Sequence, residues 1–300
     1  MASKESSEAL LSPPSIPTTR WWSKGTVAIV TGANKGIGFA LVKRLAELRL
    51  TVVLTARDNA RGQEAVESLK RLGHHHVHFF CLDVSDPLSI KQFASWFKEK
   101  FAAVDILVNN AAVSFNDIHE NSVEHAETVM RTNFYGPKLL TEALLPMFRS
   151  SASFGRIINI SSRLGLLNKL KNPKLRDILM DGEKLSESQI QEMVELFLEN
   201  VKNGTWQNQG WPEVWTDYAV SKLALNAYSV VLAKRLKGHG ISVNCYCPGF
   251  TRTSMTGGKG KYTADDVAEV AAKLALLPPQ VLPTGKFYTV SNSGGIYSKL

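Results

Sequence analysis

A phenol and an ammonium group stand four positions apart in the segment TDYAVSKLAL, at Tyr218 and Lys222. The segment is typical of a helix, and positions i and i+4 lie on one helix face, so the two side chains can act together. An ammonium group stabilises a neighbouring phenolate and is expected to lower the pKa of the phenol. The pair is suited to proton transfer, but its spacing alone is equally that of an ordinary solvated helix face.

A glycine-rich turn follows the first predicted strand of the chain. Residues 26–31 read TVAIVT, and the next residues place Gly32, Gly36 and Gly38 between that strand and a predicted helix. Glycines allow backbone amides to approach a pyrophosphate, which the N-terminus of a helix stabilises. The pattern indicates dinucleotide binding, with a tight turn that binds no ligand as the alternative.

The charges near this turn indicate which dinucleotide is bound. Sites for NAD usually place an acidic residue at the end of the second strand, where it binds the ribose 2′-hydroxyl. Here that strand ends LTARD, with Arg57 next to the expected position and Lys35 inside the glycine loop. Two cations suit a 2′-phosphate, so we predict NADPH rather than NADH. Asp58 could bind a ribose hydroxyl, but we interpret it as the N-cap of the next helix.

The elements that must position these residues follow a repeating order. Short apolar runs alternate with helical segments, and a seventh run lies at 286–290. Such alternation predicts an α/β fold, a single Rossmann-type doubly wound parallel sheet of about seven strands, spanning residues 25–293. The first six runs are 26–31, 51–56, 77–84, 105–111, 155–161 and 241–247.

One segment, residues 163–217, interrupts the alternation before the helix of Tyr218. Apolar residues at helical spacing predict an amphipathic helix there, inserted into the fold. Ser186 and Gln189 form a possible capping box, and Gly204 is a possible C-cap. The apolar positions are Ile190, Met193, Val194, Phe197, Leu198 and Val201.

Six motifs in the same order resemble those of the short-chain dehydrogenase/reductase superfamily. They are TGANKGIG (31–38), NNAA (109–112), TNFYG (132–136), NISS (159–162), YAVSK (218–222) and PGFTRT (248–253). NNAA departs from the NNAG usual in the family. The long interval between NISS and YAVSK is similar to that of the plant carbonyl reductase branch.

The resemblance implies roles for four catalytic residues. Tyr218 would act as the general acid that protonates a carbonyl oxygen, and Lys222 would also hydrogen-bond the nicotinamide ribose. Ser162 would stabilise negative charge on the substrate oxygen, with Ser161 as its competitor. Asn133 would hold a water in a proton relay to Lys222; the alternative is a structural amide inside a helix.

The resemblance also implies a set of residues that bind NADPH or NADP+. Asp83 and Val84 would flank the adenine, and Asn109 would hold the end of the fourth strand. The residues that follow the last-but-one strand would receive the nicotinamide carboxamide. Together with Tyr218 and Lys222, the predicted set is Gly32, Asn34, Lys35, Gly36, Ile37, Gly38, Arg57, Asp83, Val84, Asn109, Pro248, Gly249 and Thr251.

Composition narrows the classes of partner. The formal charge is +8, but the basic residues are scattered, so a nucleic-acid surface is not predicted, and no apolar run is long enough to cross a membrane. The histidines at 74–78 are interpreted as a loop before a strand rather than a metal site. Cys81, Cys245 and Cys247 are expected to be buried thiols.

The insertion has consequences for the oligomeric state of the protein and for the shape of its substrate pocket. Many members of the resembled family pair through the helices beside the active site, and an added helix there predicts a monomer. Aromatic and sulfur-containing residues nearby could form the core of the insertion or line an apolar pocket for a terpenoid, aromatic or medium-chain carbonyl compound. These residues are Trp206, Trp211, Trp215, Phe250 and Met255.

The two ends of the chain read differently from the domain between them. Residues 1–24 are rich in Ser, Pro and Thr and are predicted to form a flexible arm. The chain ends Ser298-Lys299-Leu300, the peroxisomal import address, so residues 294–300 are interpreted as a targeting tail for the import receptor, with a cytoplasmic location as the alternative. A peroxisomal location would make a 3-ketoacyl-CoA thioester a candidate substrate. A non-catalytic nucleotide-binding subunit is the alternative from another functional class.

Overall fold

The structure is a computed structural model that describes residues 10–11, 20–115, 121–149, 155–278, 284–290 and 296–298. Its centre is a sheet with seven parallel strands in the order β4-β3-β2-β5-β6-β7-β8, extended at one edge by antiparallel β9 and β1. The strands are β1 (Leu10–Leu11), β2 (Val27–Val30), β3 (Thr51–Ala56), β4 (Val77–Cys81), β5 (Ile106–Asn109), β6 (Gly155–Ile160), β7 (Ile241–Cys247), β8 (Phe287–Val290) and β9 (Ile296–Ser298).

Helices cover both faces of this sheet. The helices of the described residues are α1 (Gly36–Glu47), α2 (Asn59–Arg71), α3 (Pro87–Lys100), α4 (Val123–Met130), α5 (Gly136–Leu144), α6 (Pro173–Met180), α7 (Glu187–Lys202), α8 (Thr216–Arg235) and α9 (Ala264–Leu276). The apolar sides of α1, α2 and α9 form a core on one face, and those of α3, α4, α5, α7 and α8 form a core on the other. The predicted doubly wound α/β fold with about seven parallel strands is confirmed.

Burial follows from each strand's place in the sheet. The central strands β2, β5 and β6 are buried at every residue because helices cover both of their faces, which explains their continuous apolar sequences. At the edge strand β4, in contrast, only Val77 is fully buried. The expectation that all three cysteines are buried is therefore wrong for Cys81, which is exposed at the end of β4, whereas Cys245 and Cys247 are buried in β7.

The predicted insertion helix is α7, which packs against α4 and α8. Both halves of its capping box form between Ser186 and Gln189, and Gly204 follows the helix with a φ of +67°. Five of the six predicted apolar positions are buried, and Leu198 is half-buried. The insertion therefore adds a third layer of apolar packing outside the helices that flank the sheet.

The order of the strands reverses at the middle of the sheet, because β2 pairs with β3 on one side and with β5 on the other. Doubly wound sheets bind ligands in the crevice at such a point, outside the carboxyl ends of the strands. The glycine loop follows β2 and the NNAA motif follows β5. Both motifs therefore lie at the expected crevice.

The histidine run lies away from this crevice. Residues 74–76 form a turn before β4, and a ring nitrogen of His76 lies 3.0 Å from the carbonyl oxygen of Ala46. The described parts of the chain contain no group of three histidine, cysteine or acidic residues placed to hold a metal ion. None of the helices in those parts is long and apolar enough to cross a membrane.

The structure describes parts of both predicted terminal segments, residues 1–24 and 294–300. Trp22 is 4% exposed, and its indole nitrogen donates to the carbonyl oxygen of Leu48 at 3.1 Å, so the folded domain begins ahead of residue 25. Strand β1 pairs with β9, and Ser298 of β9 is in register with Tyr288 of β8. Lys299, Leu300 and residues 1–9 and 12–19 lie outside the described residues.

Candidate active site

The glycine loop is fastened to the end of β5 by close contacts. Gly32 and Gly36 have φ angles of +61° and +58°, in the left-handed region that glycine tolerates best. A Cβ on Gly32 would lie 2.7 Å from the Cα of Ala111, and one on Gly38 would lie 2.6 Å from Nδ2 of Asn110. The Asn110 amide donates to the carbonyl oxygen of Gly32 at 3.1 Å. Only glycine fits these positions, as a close approach of backbone to pyrophosphate requires.

The N-terminus of α1 differs from those of the next two helices. Asp58 caps α2 by accepting from the backbone N–H of Arg61 at 2.9 Å, and Asp86 caps α3 in the same way. Lys35, the N-cap of α1, supplies no side-chain acceptor. The first amides of α1 and its dipole are therefore available to a phosphate. The interpretation of Asp58 as an N-cap is confirmed.

A pocket of about 830 Å³ extends along this crevice and contains most of the predicted site. It is within the range of volumes common for ligand pockets. Exposed Lys35 and Arg57 lie in its wall, as the prediction of a 2′-phosphate site requires. The predicted residues that line it are Gly32, Asn34, Lys35, Gly36, Ile37, Arg57, Asp83, Val84, Ser162, Tyr218, Lys222, Pro248, Gly249 and Thr251.

Three predicted site residues do not line the pocket. Gly38 lies behind the loop, where it allows the contact with Asn110. Asn109 is buried and its amide donates to Oδ1 of Asn159 at 2.8 Å, which joins the ends of β5 and β6. Asn110, the next residue, lines the pocket instead. Asn109 and Gly38 therefore hold the strands and the glycine loop that form the pocket wall, without lining the pocket themselves.

The third of these residues, Asn133, is fully buried in a π-helical turn between α4 and α5. Its side chain accepts from the N–H of Val113 and donates to the carbonyl oxygen of Val113, both at 2.9 Å, and donates to Oγ of Ser221 at 3.1 Å. It thereby connects the loop after β5 to α8. Single π turns inside helices often mark functional sites. The TNFYG motif located this residue, but its sequence gave no sign of the π turn.

Tyr218 lies in the first turn of α8, half-buried in the pocket wall. Burial and the nearby Cys247 raise the pKa of its phenol, and a hydrogen bond with Ser162 opposes that rise. The expectation that this pKa is lowered by Lys222 is therefore wrong in its direction. The Lys222 ammonium lies 5.5 Å from the centre of the phenol ring and donates instead to the carbonyl oxygen of Ile160 at 2.8 Å, so desolvation dominates.

Lys222 is 2% exposed, and burial lowers the pKa of its ammonium group to about 8. Desolvation disfavours the charged form of a lysine in the same way that it disfavours the phenolate of Tyr218. At neutral pH the pair is therefore a protonated phenol beside a cation that is close to releasing its proton. Strongly shifted groups in a cleft are characteristic of catalytic sites.

The geometry favours Ser162 over Ser161 as the substrate-binding serine. The Oγ of Ser161 donates to Oδ1 of Asn226 at 2.5 Å, which holds that side chain against α8. Ser162 hydrogen-bonds Tyr218, and its Oγ accepts from the backbone N–H of Leu164 at 3.1 Å. The two hydroxyl groups Ser162 and Tyr218 thus meet in the pocket.

The aromatic and sulfur-containing cluster divides between the two expected roles. Trp215, Phe250 and Met255 line the pocket. Trp211 is buried in the insertion, where it packs edge-on against Phe197. Half-buried Trp206 packs against the same core. The chain therefore uses part of the cluster to hold the insertion and part to shape the wall near Tyr218.

Trp215 occupies a special position at the start of α8. It has a φ of +47°, which is rare for a residue other than glycine, and its ring lies edge-on to that of Tyr218 at 6.3 Å. The sequence placed Trp215 in the region but gave no sign of this backbone conformation. Arg163 and Cys247, which also line the pocket, were missed although each directly adjoins a recognised motif.

The profile of the short chain dehydrogenases matches residues 26–173 and 207–263, more than half of the chain. The chain belongs to the short-chain dehydrogenase family. The unmatched residues between these two segments contain α7 and most of α6, so the insertion is the part that departs from the general pattern of the family.

Relatives within the short-chain dehydrogenases cover almost the whole chain. Salutaridine reductase of Papaver bracteatum is 39% identical, over 93% of this chain and 98% of the relative. Carbonyl reductase 1 of Mus musculus, whose name specifies NADPH, is 36% identical, over 88% and 96%. The solved structure of salutaridine reductase from Papaver somniferum has a TM-score of 0.82 and 36% identity, covering 87% of this chain and 99% of that one. The resemblance to the carbonyl reductase branch is confirmed.

Proposed function

We propose that this short-chain dehydrogenase reduces an aldehyde or ketone to an alcohol with NADPH. The observation that carries the proposal is the meeting of Ser162, Tyr218 and Lys222 in the same pocket as the glycine loop. A structural glycine turn would not need this arrangement. Relatives named salutaridine reductase and carbonyl reductase, at 39% and 36% identity, support it.

The residues of the pocket fit a nicotinamide dinucleotide phosphate. The uncapped N-terminus of α1 suits the pyrophosphate, and Lys35 and Arg57 suit the 2′-phosphate. Lys222 is the residue expected to bind the nicotinamide ribose. When bound, NADPH supplies the hydride for the reduction.

Side chains of the protein donate the proton that the reduction requires and hold its donor in position. Because burial raises the pKa of the Tyr218 phenol, it is protonated at neutral pH and can donate its proton to the carbonyl oxygen. The Ser162 hydroxyl donates a hydrogen bond to the same oxygen while negative charge develops there. Lys222, with a pKa of about 8, is suited to exchange protons near physiological pH. Asn133 fixes α8 through Ser221 and so holds the position of Tyr218.

The substrate that best suits the pocket is a largely apolar carbonyl compound of specialised metabolism. Trp215, Phe250 and Met255 provide an apolar wall beside the catalytic hydroxyl groups. A second candidate, reduction of a 3-ketoacyl-CoA thioester, is favoured by the Ser298-Lys299-Leu300 ending, which would direct the protein to peroxisomes.

We also propose that the enzyme is a monomer. Helix α7 packs over α4 and α8, and Arg235 of α8 joins Glu187 of α7 to Glu142 of α5 at 2.7 Å and 2.5 Å. This packing supports the proposal, because the helices through which family members are expected to pair would then be covered by α7. Light scattering should give the mass of one chain, and a stable dimer or tetramer would contradict the proposal.

The experiment that tests the function is NADPH oxidation by the purified protein with three groups of substrate. These are aromatic and aliphatic aldehydes, cyclic terpenoid ketones, and 3-ketoacyl-CoA thioesters. Turnover with free carbonyl compounds supports the leading proposal, and preference for thioesters supports the second. NADPH binding with no turnover in any group would favour a non-catalytic nucleotide-binding subunit instead.

A further inference from the structure

One cation in the wall of the pocket has no role in the proposed chemistry. The positively charged residues that line it, within the described chain, are Lys35, Arg57, Arg163 and Lys222. In the proposed function, Lys35 and Arg57 bind the 2′-phosphate, and Lys222 acts together with Tyr218. Arg163 remains, directly after the catalytic Ser162.

The backbone holds Arg163 in a fixed place. It begins a 3₁₀ turn, residues 163–165, and its N–H donates to Sγ of Cys247 at 3.3 Å. The same turn is pressed against α8, because a Cβ on Gly165 would lie 2.4 Å from the carbonyl carbon of Lys222. The base of the Arg163 side chain is therefore positioned from two sides, next to the reacting groups.

No residue that the structure describes pairs with the charge of Arg163. Its side chain is exposed, and its guanidinium makes no hydrogen bond or ion pair with any residue that the structure describes. Asp83 is the one acidic residue among the described residues of the pocket wall, and it lies after β4. Its carboxylate already accepts from the N–H and Oγ of Ser85 at 2.9 Å and 2.7 Å. Among the described residues, the part of the pocket wall next to Ser162 therefore carries one positive charge, that of Arg163, without an acidic partner.

Apolar residues also contribute to the wall of this pocket. Leu164, Val214, Trp215 and Phe250 line the pocket with Arg163. A pocket wall that combines apolar side chains with a guanidinium that no described residue pairs suits a ligand with an apolar body and an acidic group, since guanidinium binds carboxylate and phosphate with paired hydrogen bonds.

We propose that Arg163 binds an anionic group of the carbonyl substrate, a carboxylate or a phosphate, and thereby selects acidic substrates over neutral ones. This inference rests on the proposed function and specifies its substrate class. The anion has two possible sources, the carboxylate of a keto or aldehyde acid and the phosphates of a CoA thioester. In both kinds of substrate the anionic group is separate from the carbonyl group, whose oxygen would bind to Tyr218 and Ser162.

Matched substrates test the carboxylate source. The probes are 4-carboxybenzaldehyde and its neutral methyl ester, methyl 4-formylbenzoate, with wild type and Arg163→Met. We expect kcat/KM for the acid to fall about tenfold in the variant through a higher KM, with kcat and the kinetics of the ester unchanged. Arg163→Lys keeps the charge but not the paired geometry. Its kcat/KM for the acid should therefore lie between the values of the wild type and of Arg163→Met.

A second pair of probes tests the phosphate source. Acetoacetyl-CoA and the neutral N-acetylcysteamine thioester of acetoacetate share the reacting group and differ in the phosphates. A selective loss with acetoacetyl-CoA in Arg163→Met assigns the site to phosphate, and a selective loss with 4-carboxybenzaldehyde assigns it to carboxylate. Loss with neither anionic probe overturns the inference, as does an equal loss with the neutral ones.

Lys169→Met is the matched control, because Lys169 is an exposed cation of the same segment that does not line the pocket. An equal loss in this variant would mean that the general field of the protein, not Arg163, attracts the anion, and would overturn the inference.

A binding measurement separates this inference from the proposed function. The protein is mixed with NADP+ and then titrated in a calorimeter with one of two alcohols. These are 4-carboxybenzyl alcohol, a product analogue with an acidic group, and benzyl alcohol, which lacks that group. Tighter binding of the acid, lost in Arg163→Met, supports the anion site even if no carbonyl compound is turned over. Equal binding of the two alcohols overturns it even if the enzyme proves to be an active reductase.

Discussion

At the scale of single residues, burial determines the protonation of the two groups proposed to be catalytic, Tyr218 and Lys222. It keeps the Tyr218 phenol protonated and lowers the pKa of Lys222 to about 8. The sequence located both groups through their spacing, but it could not show how much desolvation each would experience. The direction of the Tyr218 shift was therefore mistaken, because a nearby cation was weighed without the loss of water that accompanies it.

The Lys222 pKa leads to a prediction for the pH dependence of NADPH binding. Lys222 is charged below about pH 8 in the free protein and loses its charge as the pH rises through that value. If the cation holds the cofactor, affinity should be constant from pH 7 to about 8 and fall above it. Fluorescence titration with NADPH from pH 7 to 10 measures this, and Lys222→Met should bind weakly with no such dependence. An unchanged affinity across the range in wild type would contradict the assigned role.

Arg57 leads to a prediction for the choice of cofactor. Arg57→Met removes a cation expected to contact only the 2′-phosphate, so kcat/KM should fall about tenfold with NADPH and change little with NADH. Arg71→Met is the control, because exposed Arg71 ends α2 and does not line the pocket. Equal losses with both cofactors would show that Arg57 acts on stability or on a shared part of the cofactor.

At the scale of elements, each part of the site depends on how one element begins or ends. The glycine loop lies between β2 and α1, Ser162 follows β6, and Tyr218 lies in the first turn of α8. Helix α7 lies outside this arrangement but packs against α8, which carries Tyr218 and Lys222. The insertion therefore supports the helix that positions Tyr218 and Lys222.

A substitution in α7 tests this support. Phe197 is fully buried against Trp211, so Phe197→Ala should lower the free energy of unfolding by about 3–5 kcal/mol through the cavity it leaves. The adjacent Leu196 is 39% exposed, and Leu196→Ala should have an effect within about 1 kcal/mol. Urea denaturation of both variants gives the comparison. Similar effects of the two substitutions would mean that α7 is not packed as described.

The sequence predicted elements better than it predicted contacts. Strands, the capping box of α7 and the cap at Asp58 follow from local patterns, and all were found. The π turn at Asn133 and the left-handed backbone of Trp215 arise from packing between distant segments, which no local pattern encodes. The division of the tryptophans between core and pocket has the same cause. Exposed Cys81 was missed because the edge position of β4 depends on the order of the whole sheet.

At the scale of the whole molecule, the parallel sheet brings most of the residues proposed for catalysis and cofactor binding to one crevice. Strand β9 pairs with β8 and includes Ser298, the first residue of the predicted import address. Lys299 and Leu300 follow outside the described residues.

The ending leads to a prediction for location in the cell. A fluorescent protein fused to the N-terminus should accumulate in peroxisomes, and removal of Leu300 should release it to the cytoplasm because the receptor reads the terminal tripeptide. The same fusion with Cys81→Ser is a control that leaves the address intact. Cytoplasmic fluorescence with the complete ending would contradict the targeting role and favour the alternative location.

The central claim is that Tyr218 donates a proton in an NADPH-dependent reduction, and one substitution tests it directly. Tyr218→Phe removes only the hydroxyl group and keeps the ring beside Trp215. Turnover of the best carbonyl substrate should fall about 10²- to 10⁴-fold, while NADPH binding is retained. Tyr228→Phe is the matched control, because this buried phenol on the same helix donates to Glu142 outside the pocket. Turnover by Tyr218→Phe within a few-fold of wild type would contradict the account.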